Sequence, residues 1–145
     1  MHRDIYCTKS TNEHRTYEFV SDGPKGSIKK VIKFEVMGYN LYNLCFGDWE
    51  ETTQSIDDKA RSNNHDRDKV IATVASTVMS FIKYYPNATI FAKGSTPART
   101  RLYQMGILAN WQEISIFLHI KGYIDEEWRP IQKHINYNAF LAWSK

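Results

Sequence analysis

The sequence predicts an α+β domain with one mixed, mainly antiparallel sheet and two main helices, in the order β-β-β-α-β-α-β-β. Three observations predict this fold class. Residues 27–36 alternate apolar and polar side chains, residues 68–85 repeat apolar side chains at helical spacing, and residues 88–93 form a short apolar run. Since an amphipathic helix must bury its apolar stripe against another layer, we expect the helices to pack on a single sheet.

Composition bounds the class of protein. The chain has 145 residues, of which 42% are apolar and 24% charged, as in a soluble single domain. Its net charge of +3 permits an anionic partner. Cys7 and Cys45 have no CxxC spacing, so we expect reduced thiols in a cytoplasmic protein, with no metal and no cofactor. No apolar stretch is long enough for a bilayer, and the composition leaves the oligomeric state open.

The N-terminal part predicts an arm followed by a meander of three strands. Residues 1–15 are polar without periodicity, so we expect a flexible N-terminal arm, with residues 16–145 forming the domain. Ile32, Phe34 and Val36 share the face of the second strand that should be buried. The three strand candidates are 16–20, 27–36 and 41–46, with turns at 21–26 and 37–40.

A long charged connection then leads into the first helix. Residues 47–69 carry many charges and few apolar side chains, which predicts a loop. Asp66 or Asp68 can cap the helix at residues 68–85, and Pro86 ends it because the residue before a proline avoids helical geometry. The apolar run 88–93 is then expected to be a strand buried on both faces.

The C-terminal part predicts a second helix and two strands. The helix is expected over residues 94–106, with Thr96 as N-cap, Pro97 at the first position and Gly106 as terminator. Strands are expected over residues 113–124 and 134–143, with a helix as the alternative over 134–143. The faces expected to be buried are Ile114, Ile116, Leu118 and Ile120 in the first strand, and Ile135, Tyr137, Ala139 and Leu141 in the second.

The stretch KGSTPARTR, residues 93–101, predicts an anion site. A strand ends, a glycine turns the chain, and a helix begins whose first N–H groups and dipole favour negative charge. Helix capping explains the glycine, the threonine and the proline, but it does not explain two arginines, which could instead pair with acidic residues 48–58. The predicted ligand-binding residues are Gly94, Ser95, Thr96, Arg99 and Arg101, with Lys25 and Lys29 as additional contributors.

Two further clusters have simpler interpretations. Lys25, Lys29, Lys30 and Lys33 flank a glycine-rich turn that could hold a phosphate backbone, but the favoured interpretation is a solvated hairpin whose lysines protect an edge strand. The acidic segment could bind Mg²⁺, although a solvated loop is the more common arrangement. With no GxSxG pattern, no catalytic residue is assigned. The acidic segment comprises Asp48, Glu50, Glu51, Asp57, Asp58, Asn63, Asn64, His65, Asp66 and Asp68.

Four segments resemble a family of small uncharacterised bacterial proteins that is defined only as a domain of unknown function. They are YEFVSDGPKG, LCFGD, IATVASTV and AKGSTPARTRLYQMGI, and the resemblance covers roughly residues 17–121. It implies no activity.

The layout also resembles two characterised folds. The ribonuclease H-like fold shares three antiparallel strands, a helix, a strand and a helix. This resemblance implies that Asp22 matches the first catalytic Asp, and that SNNHDRDKV enters the helix carrying the Glu. The chain has Gly94 and Ser95 where that family has another Asp, which implies a degenerate nuclease.

The GNAT acetyltransferase superfamily places its strands and helices in a similar order. ARTRLYQMGI resembles its second helix, which implies that Tyr103 is the general acid. The chain departs from that pattern because SNNHDRDKV stands where a glycine-rich loop would hold the acyl-CoA pyrophosphate.

Three functions are therefore open. The leading hypothesis is a non-enzymatic domain that binds nucleic acid or a nucleotide at the start of the second helix. The second is an enzyme, either a GNAT-like acyltransferase or a ribonuclease H-like nuclease. The third is a protein-interaction module, as in a toxin–antitoxin or phage-defence pair, which would expose a large patch of the Tyr and Trp side chains.

Overall fold

The computed structural model describes residues 4–58 and 64–145 and confirms the α+β class. Its nine strands form one mixed sheet with three helices. In chain order the elements are β1 (Lys9–Thr11), β2 (Thr16–Gly23), β3 (Gly26–Gly38), β4 (Leu41–Glu50), β5 (Ser55–Asp57), α1 (Arg67–Tyr84), β6 (Thr89–Ala92), α2 (Pro97–Ala109), α3 (Trp111–Ile114), β7 (Leu118–Ile124), β8 (Glu127–Pro130) and β9 (Ala139–Ser144).

The sheet has the order β1-β2-β3-β4-β6-β9-β7-β8, with β5 beside β4. Every pair is antiparallel except β4 and β6, so the predicted mixed, mainly antiparallel sheet and the order of its main elements are confirmed. The three short strands β1, β5 and β8 and the short helix α3 add to the predicted order. In the described part of the chain, no helix is long and apolar enough to cross a bilayer.

One edge of β4 changes partner halfway along. Leu41–Asn43 pair with β6, and Asp48–Glu50 pair with β5. The residues between them, 44–47, lie opposite neither strand on that edge of the described sheet. Helix α2 begins beside this interruption.

Both long helices pack on the same face of the sheet. Phe81 of α1 stacks on Phe34 of β3 with 4.1 Å between ring centroids. Gly106 of α2 lies against Ile71 of α1, where an added Cβ would be 3.5 Å from the Cβ of Ile71. The strand residues on this covered face that are almost fully buried include Tyr17, Phe19, Ile32, Phe34, Leu44, Phe46, Ile90, Leu118 and Phe140.

The other face of the sheet, which we call the open face, is covered by neither α1 nor α2. The prediction that the strand at 88–93 is buried on both faces is therefore wrong. Ile90 and Ala92 are buried against the helices, whereas Thr89 and Phe91 on the open face are half-buried. The two crossover helices lie on one side, so an apolar run does not by itself imply two covered faces.

The N-terminal segment differs from the expected flexible arm over its described residues, 4–15. Strand β1 pairs with β2, and the ring of Tyr6 stacks on Phe19 at 5.3 Å. The Tyr6 main-chain N–H donates to the Thr73 hydroxyl at 2.9 Å, and its own hydroxyl donates to Asp66 at 2.5 Å. Asp66 precedes α1 but does not cap it through its side chain, because Tyr6 and Ser21 use that carboxylate.

The first two strands and the charged connection also differ in detail. Strands β2 and β3 extend to Gly23 and from Gly26, so the predicted turn at 21–26 is shorter. Strand β4 continues to Glu50, and β5 lies inside the predicted loop at 47–69. Val36, expected to be buried, is 62% exposed because it lies near the end of the β3–β4 hairpin, beyond the helices.

The C-terminal predictions need three corrections. Gly106 does not end α2, because it lies inside the helix against Ile71 of α1 and the helix continues to Ala109. Ile116, expected on a buried strand face, is 66% exposed because residues 111–114 form α3 and the strand begins at Leu118. In β9, Phe140 and Ala142 face the helices, so Leu141 lies on the open face, and Ile135 and Tyr137 precede the strand.

Candidate functional site

The junction between β6 and α2 is held by its own hydrogen bonds. Thr96 caps α2 because its hydroxyl accepts from the Arg99 main-chain N–H at 3.2 Å, and Pro97 occupies the first position, both as predicted. The Gly94 N–H donates to the Thr100 hydroxyl at 3.0 Å. Because Pro97 has no N–H and that of Arg99 is taken, Ala98 is the one residue among 97–99 whose N–H remains for a ligand. Fewer main-chain N–H groups are therefore available to an anion at the start of α2 than the sequence predicts.

Gly94 is required by a close approach of two chain segments. A Cβ atom there would lie 2.4 Å from the Thr100 main-chain nitrogen and 2.5 Å from the Arg99 Cβ. Distances below 3.0 Å are essentially never seen for real Cβ atoms. The glycine thus allows the end of β6 to pass directly beneath the first turn of α2.

The structure separates the two arginines. Arg99 donates from Nη2 to the Phe46 main-chain oxygen at 2.8 Å, and its guanidinium lies 5.3 Å from the centroid of the Phe46 ring. Phe46 belongs to the interruption of β4, so Arg99 supplies a donor where a strand would otherwise pair. Because side chains two positions apart on a helix do not face each other, Arg101 points elsewhere.

Arg101 lines a cleft of about 530 Å³ at the end of the sheet, and Lys93 lines the same cleft. Both side chains are exposed, and within the described residues neither forms an ion pair. Three rings of the open face form one wall, with Trp128 at 5.0 Å from Tyr123 and 6.3 Å from Phe91. The other lining residues are Gly94, Ser95, Thr96, Pro97, Thr100, Asn136, Tyr137, Asn138 and Ala139.

The floor of the cleft is held in place by hydrogen bonds. Gln104 of α2 donates from Nε2 to the Ile135 oxygen at 2.6 Å, and its Oε1 accepts from the Tyr137 N–H at 3.1 Å. The Tyr137 hydroxyl donates to the Pro130 oxygen at 3.0 Å. These bonds fix the segment before β9 to both α2 and the β8 strand, so the amide side chains of Asn136 and Asn138 are presented at the cleft from an anchored segment.

The lysines of the β2–β3 hairpin lie apart from this cleft. The Lys25 main-chain N–H donates to Asn64 Oδ1 at 2.7 Å, and the Lys29 ammonium is 3.4 Å from Glu18 and 5.3 Å from the centroid of the Trp49 ring. Lys30 differs from the predicted solvated lysine. It is almost fully buried on the covered face and forms an ion pair with Asp48 at 2.5 Å.

In its described residues, the acidic segment forms hydrogen bonds that join distant parts of the fold. The main-chain oxygen of Asp58 accepts from the Ser95 hydroxyl at 2.9 Å, which links the end of β5 to the start of α2. Buried Asn64 holds the β2–β3 turn through Ser21 and Gly26. Among the described residues, no three His, Cys, Asp or Glu side chains are grouped as metal ligands. Asn63, which the sequence placed in this cluster, lies outside the described residues.

Tyr103 lines a different, apolar cavity of about 80 Å³ between the helices and the sheet. Burial raises the pKa of its hydroxyl to about 12, and the nearby Arg99 charge opposes that shift. Burial likewise raises the pKa of the Cys45 thiol to about 11, with Glu35 adding to the shift. Because an effective general acid has a pKa near the working pH, Tyr103 in this environment is a poor proton donor at neutral pH.

Sequence reasoning missed Lys93 as a site residue, and also the aromatic wall. Trp128 and Tyr123 are brought to the cleft by the β7–β8 hairpin, whose turn consists of Asp125 and Glu126, both at positive φ. That turn lacks the Gly or Asn that usually indicates such a conformation. The alternation of Lys121 and Tyr123 with buried residues was the available signal for an exposed strand face.

The sequence model of a family of unknown function, DUF6934, matches residues 2–145, so the chain belongs to that family. The match extends the predicted resemblance to nearly the whole chain. No curated protein and no solved structure is detectably similar to it.

Proposed function

We propose that this DUF6934 protein is a binding domain for a phosphate-bearing ligand, a nucleotide or a nucleic acid, and that it holds the phosphate in the cleft at the start of α2. One observation carries the proposal. Lys93 and Arg101 both line the cleft without an ion-pair partner in the described residues, beside the rings of Trp128 and Tyr123.

The chemistry of the lining matches both parts of such a ligand. Two cations and the N-terminal dipole of α2 favour a phosphate, and the exposed Asn136 amide in the lining can donate to its oxygens, whereas the Ser95 hydroxyl already donates to the Asp58 main-chain oxygen. An aromatic ring offers a face on which a nucleobase stacks. Arg99 has a role in the fold instead, while Lys25 and Lys29 would be reached only by a ligand that extends across the sheet.

The test is a calorimetric titration with adenosine monophosphate and with adenosine. We expect the wild type to bind the monophosphate about tenfold more tightly than the nucleoside, a difference of roughly 1.4 kcal/mol. Arg101→Glu should abolish that preference, because it replaces the cation with a repelling carboxylate.

Lys133→Glu is the matched control, since Lys133 is also exposed but lines a different depression near α3. It changes the net charge equally and should keep the preference. The proposal is wrong if the wild type does not distinguish the two ligands, or if both variants lose the preference together.

A GNAT-like acyltransferase is the alternative that the order of strands and helices suggests, although burial of Tyr103 beside an apolar cavity raises its pKa and disfavours it as the general acid. It predicts tight binding of acetyl-CoA and a loss of turnover in Tyr103→Phe. A titration of the wild type with acetyl-CoA that shows no heat would remove this alternative. A nuclease would instead require Mg²⁺ and lose activity in Asp22→Asn, whose carboxylate accepts from Ser27 at 2.8 Å.

A further inference from the structure

The open face of the sheet has a distinctive composition in its C-terminal half. The registers of β6, β9, β7 and β8 place eleven residues on this half-face, counting Lys93 directly after β6. Five carry aromatic rings, two are lysines and none is a carboxylate. They are Thr89, Phe91, Lys93, Ala139, Leu141, Trp143, His119, Lys121, Tyr123, Trp128 and Pro130.

The rings of this half-face lie in two groups. Trp143 is 5.4 Å from His119, and Trp128 is in contact with Tyr123 and Phe91. All of these rings are at least partly exposed, as are both lysines. Adjacent strands are about 4.8 Å apart, so four strands span roughly 14 Å, which is room for two or three stacked bases.

We propose that the half-face formed by β6, β9, β7 and β8 binds single-stranded nucleic acid, with bases stacked on its rings and phosphates near Lys93 and Lys121. This deepens the proposed function, on which it rests for the adjoining cleft. The two sites are continuous because Phe91, Tyr123 and Trp128 belong to both.

Charge decides between this occupant and a second copy of the chain. A symmetric dimer through the half-face would bring a surface with two lysines and no carboxylate against its own copy, which is repulsive. A polyanion is attracted by the same surface. A duplex hides its base faces, and a broad sheet face does not enter a groove, so stacking on these rings requires unpaired bases.

The nearest carboxylates border the half-face without covering it. Glu35 lies on β3, two strands from β6 with β4 between them, and Asp125 and Glu127 at the β7–β8 hairpin contact Arg129. Negative charge therefore lies beyond β4 on one side of the half-face and at the β7–β8 turn on the other, which disfavours extension of a bound strand past these positions.

The experiment measures fluorescence anisotropy of labelled oligo(U) and oligo(dT) of about ten nucleotides, a length within the range that single-strand binding domains cover. We expect the wild type to bind both at low salt, with affinity falling as salt rises from about 50 to 200 mM. A duplex of equal length should compete at least about tenfold more weakly.

Variants of the half-face give the decisive comparison. Lys121→Glu should weaken binding about tenfold and reduce the salt dependence, while the equally charged Lys133→Glu should not. Trp143→Ala should also lose about tenfold, and Trp143→Phe should restore most of that loss, since a ring of any kind can stack. Circular dichroism of each variant confirms the fold before binding is compared.

The outcomes separate this inference from the proposed function. If adenosine monophosphate binds at the cleft but oligonucleotides bind no more tightly than it does, the inference about the half-face is wrong and the proposal for the cleft is still supported. If oligonucleotides bind through Lys121 and Trp143 but the protein does not prefer adenosine monophosphate over adenosine, the inference about the half-face is supported and the proposal for the cleft is wrong. Failure of oligonucleotides to bind, together with a dimer that Trp143→Ala dissociates, would assign the half-face to a second copy and overturn the inference.

Discussion

The Arg99 guanidinium donates a hydrogen bond of 2.8 Å to the main-chain oxygen of Phe46, in the part of β4 that pairs with neither β6 nor β5. A side chain of α2 thus satisfies a backbone acceptor at a break in the sheet. Sequence spacing suggested two equivalent arginines, but one of them joins helix to sheet while the other lines a cleft. The difference can be measured as a difference in stability.

Arg99→Leu should lower the free energy of unfolding by about 1.5–3 kcal/mol, the usual contribution of a hydrogen bond that involves a charged group. Arg101→Leu should change it by less than about 0.5 kcal/mol, because its side chain is exposed. Urea denaturation of both variants checks this. Equal losses in the two variants would mean that the contact with Phe46 contributes nothing to stability.

Two glycines of the same segment should respond oppositely to alanine. Gly94→Ala places a Cβ 2.4 Å from the Thr100 nitrogen, so α2 must shift, at a cost of about 1–3 kcal/mol. Gly106→Ala places its Cβ at an ordinary contact distance of 3.5 Å within a helix, where alanine is favoured by about 0.5–1 kcal/mol. Thermal unfolding should therefore show a lower Tm for the first variant and an unchanged or higher Tm for the second. A Gly94→Ala protein as stable as the wild type would contradict the close approach of Gly94 to Thr100.

Local signals predicted the start of α2 well, whereas long-range contacts decided what its side chains do. Thr96 and Pro97 are explained by hydrogen bonds within four residues, so the sequence alone suffices for them. Arg99 depends on where β4 loses a partner, which is set by strand pairings about 50 residues away in sequence. No pattern within residues 91–103 contains that information.

The same contrast holds for the strands. Side chains alternate between the two faces of β3, so the pattern that predicts Ile32 and Phe34 on the covered face also predicts Lys30 there. The lysines beside the hairpin turn are predicted to be solvated, but Lys30 has its partner Asp48 on β4, which extends to Glu50 rather than ending at residue 46. The aromatic wall was missed for a related reason, since the β7–β8 turn at Asp125 and Glu126 adopts positive φ without a glycine or an asparagine.

Tyr103 should make the fold less stable at high pH. Burial raises its pKa to about 12 in the folded protein, whereas an exposed tyrosine titrates near 10. Between these values the unfolded chain releases the proton and the folded chain keeps it, so the free energy of unfolding falls as pH rises. Ionisation of Tyr103 lowers the free energy of unfolding by up to about 1.4 kcal/mol per pH unit.

Denaturant unfolding at pH 8 and pH 11 measures this loss, which should be smaller in Tyr103→Phe. Tyr39→Phe is the control, because Tyr39 is 96% exposed, and it should lose as much stability as the wild type. An identical pH dependence in Tyr103→Phe and in the wild type would show that the Tyr103 hydroxyl is hydrated in solution.

The buried pair of Lys30 and Asp48 should show strong coupling. Their side chains are only 7% and 17% exposed, so Lys30→Met leaves a carboxylate in a dry environment and should cost about 3–5 kcal/mol. Lys29→Met, one position away with a side chain 40% exposed, should cost less than about 1 kcal/mol.

The double variant Lys30→Met with Asp48→Leu separates the ion pair from its burial. Because two apolar side chains have no charge to hydrate, the double variant should be more stable than either single variant. A double-mutant cycle from urea denaturation gives the coupling free energy. If the losses of the single variants add in the double variant, the two side chains act independently and the ion pair does not hold β3 to β4.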